Sequence, residues 1–314
     1  MRKRRSLPRL AGYLFLLAFL PGCATMGDRG KPLVPTEFQT RTGPFAVFTG
    51  TQLAADAPVV RQLQSLETEV RETLGLRVDP ATEPIEVYIL EDRQSFQHFL
   101  SFHYPDLPHR RAFFLANGPR RVVYTCFGDR LIEDIRHEGT HALLHAAVGD
   151  IPLWLDEGLA EYFEGPADRK GLNPEHVGRL PADLAAGWAP DLARLETQRS
   201  VRQMTPRDYR ESWAWVHFLL NDERPRKAAL LAYLADLRSS PDCPPLTKRL
   251  EGPSDADMLA HLAEAQKAPI AAAPPASDAP RDPTVRLQSA SIESAPPPLP
   301  TKRRGFFSRL FGGE

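Results

Sequence analysis

The order of patterns along the chain predicts an α+β fold. Segments that alternate like strands end by about residue 127, and the chain from there to residue 267 reads as helix with irregular connections. A third feature bounds the domain: 31 prolines, crowded into an Ala/Pro/Ser-rich stretch over 268–300 that has nothing to bury. At 42% hydrophobic and 25% charged, the remainder has the composition of a globular chain with one main core.

Residues 1–22 read as an export signal and contribute nothing to the fold. Arg2, Lys3, Arg4, Arg5 and Arg9 precede an apolar run from Leu10 to Leu20, too short to span a bilayer comfortably. The run ends in Leu20-Pro21-Gly22-Cys23, which resembles the lipobox of bacterial lipoproteins, although Pro21 departs from the usual small or aliphatic residue. The resemblance implies lipid on Cys23, a place in the cell envelope and, with Ala24 rather than Asp after the cysteine, sorting to the outer membrane. A plain cleaved signal peptide is the alternative. Residues 23–42 then read as a polar tether, and 43–267 as the folded domain.

Within that domain, Phe45 to Thr49 is expected as a short strand. Val59, Leu63, Leu66, Val70 and Leu74 form a helical stripe that Gly75 ends. Ile85 to Leu90 alternates like a half-buried strand, and Phe96, Phe99 and Leu100 mark a helix. Residues 112–115 and 122–125 flank a turn at Asn117-Gly118-Pro119, the pattern of a hairpin.

Next comes His137-Glu138-Gly139-Thr140-His141. Residues four apart on a helix share a face, so both imidazoles reach one ion, and Glu138 lies one step round, where a general base belongs. Apolar residues at Leu131, Ile132, Ile135, Ala142, Leu143 and Ala146 support the helix, with Asp129 to cap it and Gly149 to end it. Asp150 and Pro152 open a second helix carrying Glu157 and Glu161, again four apart. Glu157 is the expected third ligand. Glu161 is expected to accept the N–H of a ligand histidine, with a ligand role as its alternative. Gly139, costly in mid-helix, implies a close approach by another backbone or by substrate. His145 lies one turn beyond the ion and is expected to pack or face solvent.

HEGTH followed by WLDEGLAEYFE resembles the gluzincin metallopeptidases, and is most similar to the bacterial peptidase-MA-like domains, many of them without an assigned substrate. Fifteen residues separate His141 from Glu157, fewer than in thermolysin-like relatives, so the connecting turn must be tight. The resemblance implies a zincin-like fold: a small, mostly antiparallel N-terminal sheet on the HExxH helix, then a helical subdomain. It also implies a Zn2+ cofactor held by His137, His141 and Glu157, and hydrolysis of a peptide or protein substrate with Glu138 as base. One hairpin strand is the candidate to hold extended peptide by backbone pairing, and closing the sheet is its plainer alternative.

Beyond the two helices, residues 166–205 read as irregular with short helical patches such as 181–186, and Met204 to Leu220 as a firmer helix. Tyr209 on that helix is a candidate donor to the oxyanion of an attacked carbonyl, against the plainer role of a core tyrosine. His217 is a weaker candidate for the same task. Two more helices are expected over 226–237 and 254–267. The tail 301–314, with Phe306, Phe307, Leu310 and Phe311 among basic residues, is expected to dock on a membrane or a partner.

Without residues 1–22 the chain carries 34 basic and 40 acidic groups, too few basic ones for a nucleic-acid face. Cys126 and Cys243 are the only thiols besides Cys23; a disulfide between them is open, and no motif makes either a nucleophile. The rival to a peptidase is a non-catalytic envelope lipoprotein that uses the same fold as a binding or scaffold module.

Overall fold

The computed structural model describes residues 33–105, 110–221, 225–240, 242–250 and 254–267. The expected signal segment, Cys23, the first part of the tether, the 268–300 linker and the 301–314 tail lie outside these residues. No described helix is long and apolar enough to cross a membrane.

One five-stranded sheet has the order β1 (Phe38–Thr42), β2 (Phe45–Thr49), β3 (Ile85–Leu90), β5 (Arg120–Cys126), β4 (Phe113–Asn117). Helix α1 (Pro58–Leu74) joins β2 to β3, and α2 (Arg93–His103) follows β3. The α+β class holds, but the sheet is mixed rather than mostly antiparallel. The pairs β1–β2 and β4–β5 are antiparallel hairpins, whereas β2–β3 and β3–β5 run parallel. A helix between two strands returns the chain to the end from which the first strand began, which makes parallel pairing the natural outcome. Strand β1 falls in the stretch expected to be tether. Its Gln39-Thr40-Arg41 offers no apolar signal; the strand is held by backbone pairing with β2 across a turn in which Gly43 takes φ +50°.

The alternation along the strands sorts the core into two. Ile85, Val87, Ile89 and Val123 share one apolar cluster with α1, α3 (Leu131–Ala147), α4 (Leu153–Phe163) and α7 (Pro206–Asn221). Tyr88, Leu90, Val122 and Tyr124 point the other way, onto Phe96, Phe99 and Leu100 of α2. Helix α3 therefore lies against the sheet's β5–β4 end, α4 packs on α3, and α7 covers α4. Helices α5 (Pro174–Ala185) and α6 (Leu192–Thr197) fill the stretch expected to be irregular, α5 starting well before residue 181. The body ends with α8 (Pro225–Ser239) and α9 (Ser254–Ala265).

Gly139 of α3 and Gly158 of α4 mark close packing. A Cβ on Gly139 would stand 3.0 Å from Leu66 Cδ2, so the crowding there comes from α1 side chains rather than from backbone or substrate. A Cβ on Gly158 would stand 2.6 Å from the carbonyl oxygen of Ser212, which means that the backbone of α7 presses directly on α4. Cys126 and Cys243 are free thiols, and burial pushes the Cys126 thiol up to about 11.

Candidate metal centre

Helix α3 is buried along most of its length, and its polar residues are held from several sides. Arg130 stands at its N-cap with no side-chain cap, in the place expected for Asp129. Its first turn is stabilised instead by Glu133 and Asp134, which favour the positive end of the helix and receive Arg111 from the strand side, at 2.6 Å for Asp134. Arg136, fully buried, donates to the carbonyl of Phe163 at the end of α4 and pairs with Glu69 of α1 at 2.6 Å. That clamp fixes the roll of α3 and with it the direction in which the next residue, His137, points.

His137, His141 and Glu157 meet in the seam between α3 and α4, at 3%, 6% and 4% exposure. Glu157 Oε2 is 3.8 Å from His137 Nε2 and 3.7 Å from His141 Nε2, and the three ligand atoms lie within 4.8 Å of one another. Those separations are too long for hydrogen bonds and a few tenths of an ångström above the edge of a tetrahedron with bonds of about 2.0–2.1 Å. Buried groups that converge without touching fit an ion between them. The turn from Val148 to Pro152 is tight enough to bring Glu157 back onto the histidines, with Gly149 at φ +91°.

The other ring nitrogens are backed by carboxylates. His137 Nδ1 is 3.0 Å from Glu164 Oε2, and His141 Nδ1 is 2.9 Å from Asp156 Oδ1. Neither carboxylate is singled out by the sequence motif. Glu164 is seven residues beyond Glu157 and returns to nearly the same face after two turns, a spacing from which it is readable. Glu161, expected to orient a ligand histidine, has a carboxyl oxygen within 4.8 Å of His137 and Glu164 in a second cluster. Its Oε2 is 3.0 Å from His176 Nε2 and 3.4 Å from Asn173 Nδ2, both brought by the start of α5. His145 is buried and has Asp156 Oδ2 at 3.3 Å. Burial disfavours charge on His141, but Asp156 and Glu157 outweigh it and raise its pKa. Burial opposes ionisation of Asp156 too; His141 and His145 overcome it and hold that carboxyl below the usual range.

Residues 131–241 match a family described as a protein of unknown function, DUF1570. The match runs from the start of α3 through α8, so His137, His141, Glu157 and the helix that covers α4 fall inside the matched segment. The sheet lies outside it. No curated protein matches the chain.

Within the matched segment, Glu138 is buried beside His137 on α3. Tyr209 is buried on α7, one turn before Ser212, on the face that meets α4 at Gly158 next to Glu157. His217 turns elsewhere: its Nδ1 is 2.8 Å from His261 Nε2 on α9, and its ring lies against Trp213 and Tyr162. Outside the segment, Phe114 of the outer strand β4 lies nearly parallel to the His141 ring, with centroids 6.3 Å apart, which brings the edge of the sheet to the metal helices.

Proposed function

We propose that the protein is a membrane-anchored, zinc-dependent peptidase. The observation that carries this reading is the buried convergence of His137, His141 and Glu157 with Glu138 beside them. Two imidazoles and one carboxylate are a donor set that suits zinc and leaves its fourth position open. When bound, zinc supplies a Lewis acid that polarises a carbonyl and lowers the pKa of water. Glu138 takes a proton from the attacking water and delivers it to the amide nitrogen as the C–N bond breaks, so that a carboxylate and an amine leave. Tyr209 donates to the oxygen on which charge gathers. Strand β4 is the outer strand beside α3, and among the described residues no strand pairs with its outer edge, on which extended peptide can add as a further strand. Anchoring is supported by Leu20-Pro21-Gly22-Cys23 after a basic and apolar leader, and gives the domain a place in the bacterial envelope, on the periplasmic side and sorted to the outer membrane. The C-terminal tail is proposed to dock on a membrane or protein partner.

Hydrolysis of a broad panel of peptides, with and without a chelator, tests the reading. Glu138→Gln keeps the shape of the site and removes the base. It is expected to retain zinc while turnover falls by about 10²–10⁴-fold. Wild-type protein that binds zinc and cleaves nothing leaves the fold as a binding module and sinks the peptidase. For the anchor, Cys23→Ser is expected to abolish incorporation of a fatty-acid analogue in cells; label that persists in the variant removes Cys23 as the acceptor.

A further inference from the structure

His145 follows His141 by one turn of α3, and its ring is buried. Its Nε2 is 3.3 Å from Asp156 Oδ2, while Oδ1 of the same carboxylate is 2.9 Å from Nδ1 of His141. Phe114 of β4 packs on the His145 ring, with centroids 5.2 Å apart. Asp156 thus lies between two imidazoles on successive turns of one helix, hydrogen-bonded to His145 through Oδ2 and at ion-pair distance from His141 through Oδ1.

A carboxylate in that position controls the orientation of a ring. The terminal torsion of an aspartate is broad, so an unrestrained Asp156 can swing Oδ1 off His141 and release the ring that presents Nε2 to the ion. A donor on Oδ2 restrains that torsion, and His145 is in place to supply it.

We infer that His145 is a positioning residue of the metal centre, acting through Asp156 to orient His141. The inference rests on the metal-centre reading above. Partners behind ligand histidines typically change metal affinity by about 10–100-fold, and a residue one step further out belongs at the low end of that range.

The test is zinc affinity of the full-length protein, measured by competition with a chromophoric chelator, with the visible absorption of the cobalt-substituted protein as a second readout of ligand geometry. His145→Ala is expected to weaken zinc binding by about 10-fold and to shift the cobalt bands. His145→Phe, which fills the space beside Phe114 without a donor, is expected to behave like it, and guards against a variant that fails to fold. His145→Gln retains a donor near the Nε2 position and is expected to recover most of the affinity. In an Asp156→Ala background His145→Ala is expected to change affinity by less than about 2-fold, because the group it acts through is gone. The same 10-fold loss with and without Asp156, or no loss in either, overturns the inference while leaving the metal centre standing. Wild-type protein that takes up no zinc overturns the metal-centre reading and this inference with it.

Discussion

Glu157 and Glu161 share a face of α4, and both lie near a ligand histidine, but their surroundings differ. Glu157 faces the two Nε2 atoms, whereas Glu161 is engaged by His176 and Asn173 from α5. Glu157→Ala is therefore expected to abolish zinc binding, and Glu161→Ala to weaken it by about 10–100-fold, as removal of an outer partner does. Metal content after dialysis separates them, and the opposite ranking moves the ligand one turn along α4. Tyr209→Phe removes a hydroxyl with little change of volume. If that hydroxyl serves the reaction, kcat falls by about 10–10³-fold while zinc content and thermal midpoint stay at wild type; unchanged kcat returns Tyr209 to the core. The shared face of His137 and His141 was legible because four-residue spacing on a helix is a geometric statement that needs no tertiary knowledge, whereas the approach of Glu157 was expected from the tight turn and the family resemblance. Glu164 was readable from its seven-residue spacing to Glu157, but Asp156 and His176 were not, since each acts across a helix seam or from a separate helix, and one-dimensional spacing says nothing about which neighbour lies opposite. His145 packs against Phe114, as one expectation had it, but its pairing with Asp156 was not readable because that partner is on the other helix.

Gly139 of α3 and Gly158 of α4 stand at close helix contacts, and they are expected to respond differently to a methyl group. At Gly158 the neighbour is backbone, the Ser212 carbonyl at 2.6 Å from the added Cβ, so α4 and α7 must separate. Gly158→Ala is expected to lower stability by about 1–3 kcal/mol, more than the roughly 1 kcal/mol that alanine contributes to a helix. At Gly139 the nearest atom is a leucine methyl at 3.0 Å, which can rotate away, and Gly139→Ala is expected to stay within about 1 kcal/mol of wild type. Denaturant unfolding of the two variants tests the contrast. Between α7 and α9, burial and the neighbouring His261 depress His217 to about 3, and Tyr162 of α4 lies against the same ring. An unfolded histidine takes its proton near 6.5, so this group's contribution is present above that pH and is lost as pH falls from there towards 3. The unfolding midpoint of wild type is expected to drop more steeply between pH 7 and 4 than that of His217→Gln; parallel curves would remove His217 as the source. Among the elements, amphipathic α1, α2 and α7 were readable because their stripes are strong. Strand β1 and helix α5 were hidden, the first by polar residues that pair through backbone alone, the second by Pro181 inside the helix.

At the scale of the molecule, zinc would add a tie between two helices already joined by packing, by Arg136 and by the pairs that His137, His141 and His145 make with Glu164 and Asp156. Removal of metal by chelation is expected to lower the thermal midpoint, and zinc at 100 times its dissociation constant to restore about 2.7 kcal/mol, as ligand linkage requires. A midpoint indifferent to both would mean that no ion binds the native state. The class of the fold was legible from the order of patterns, but the mixed sheet was not, because parallel pairing is settled by where the crossover helices return the chain. The contact of α7 on Gly158 also bears on the order of events as the chain folds. His137 to Glu164 occupy 28 consecutive residues, so the helical hairpin that bears His137, His141 and Glu157 closes through a short loop and is expected to form early. Its second helix nevertheless has a bare backbone face at Gly158 until residues 206–221 arrive. A nascent chain halted before that helix would hold all three ligands on a hairpin still free to breathe, and firm capture of the ion waits for a stretch of sequence that contributes none of them.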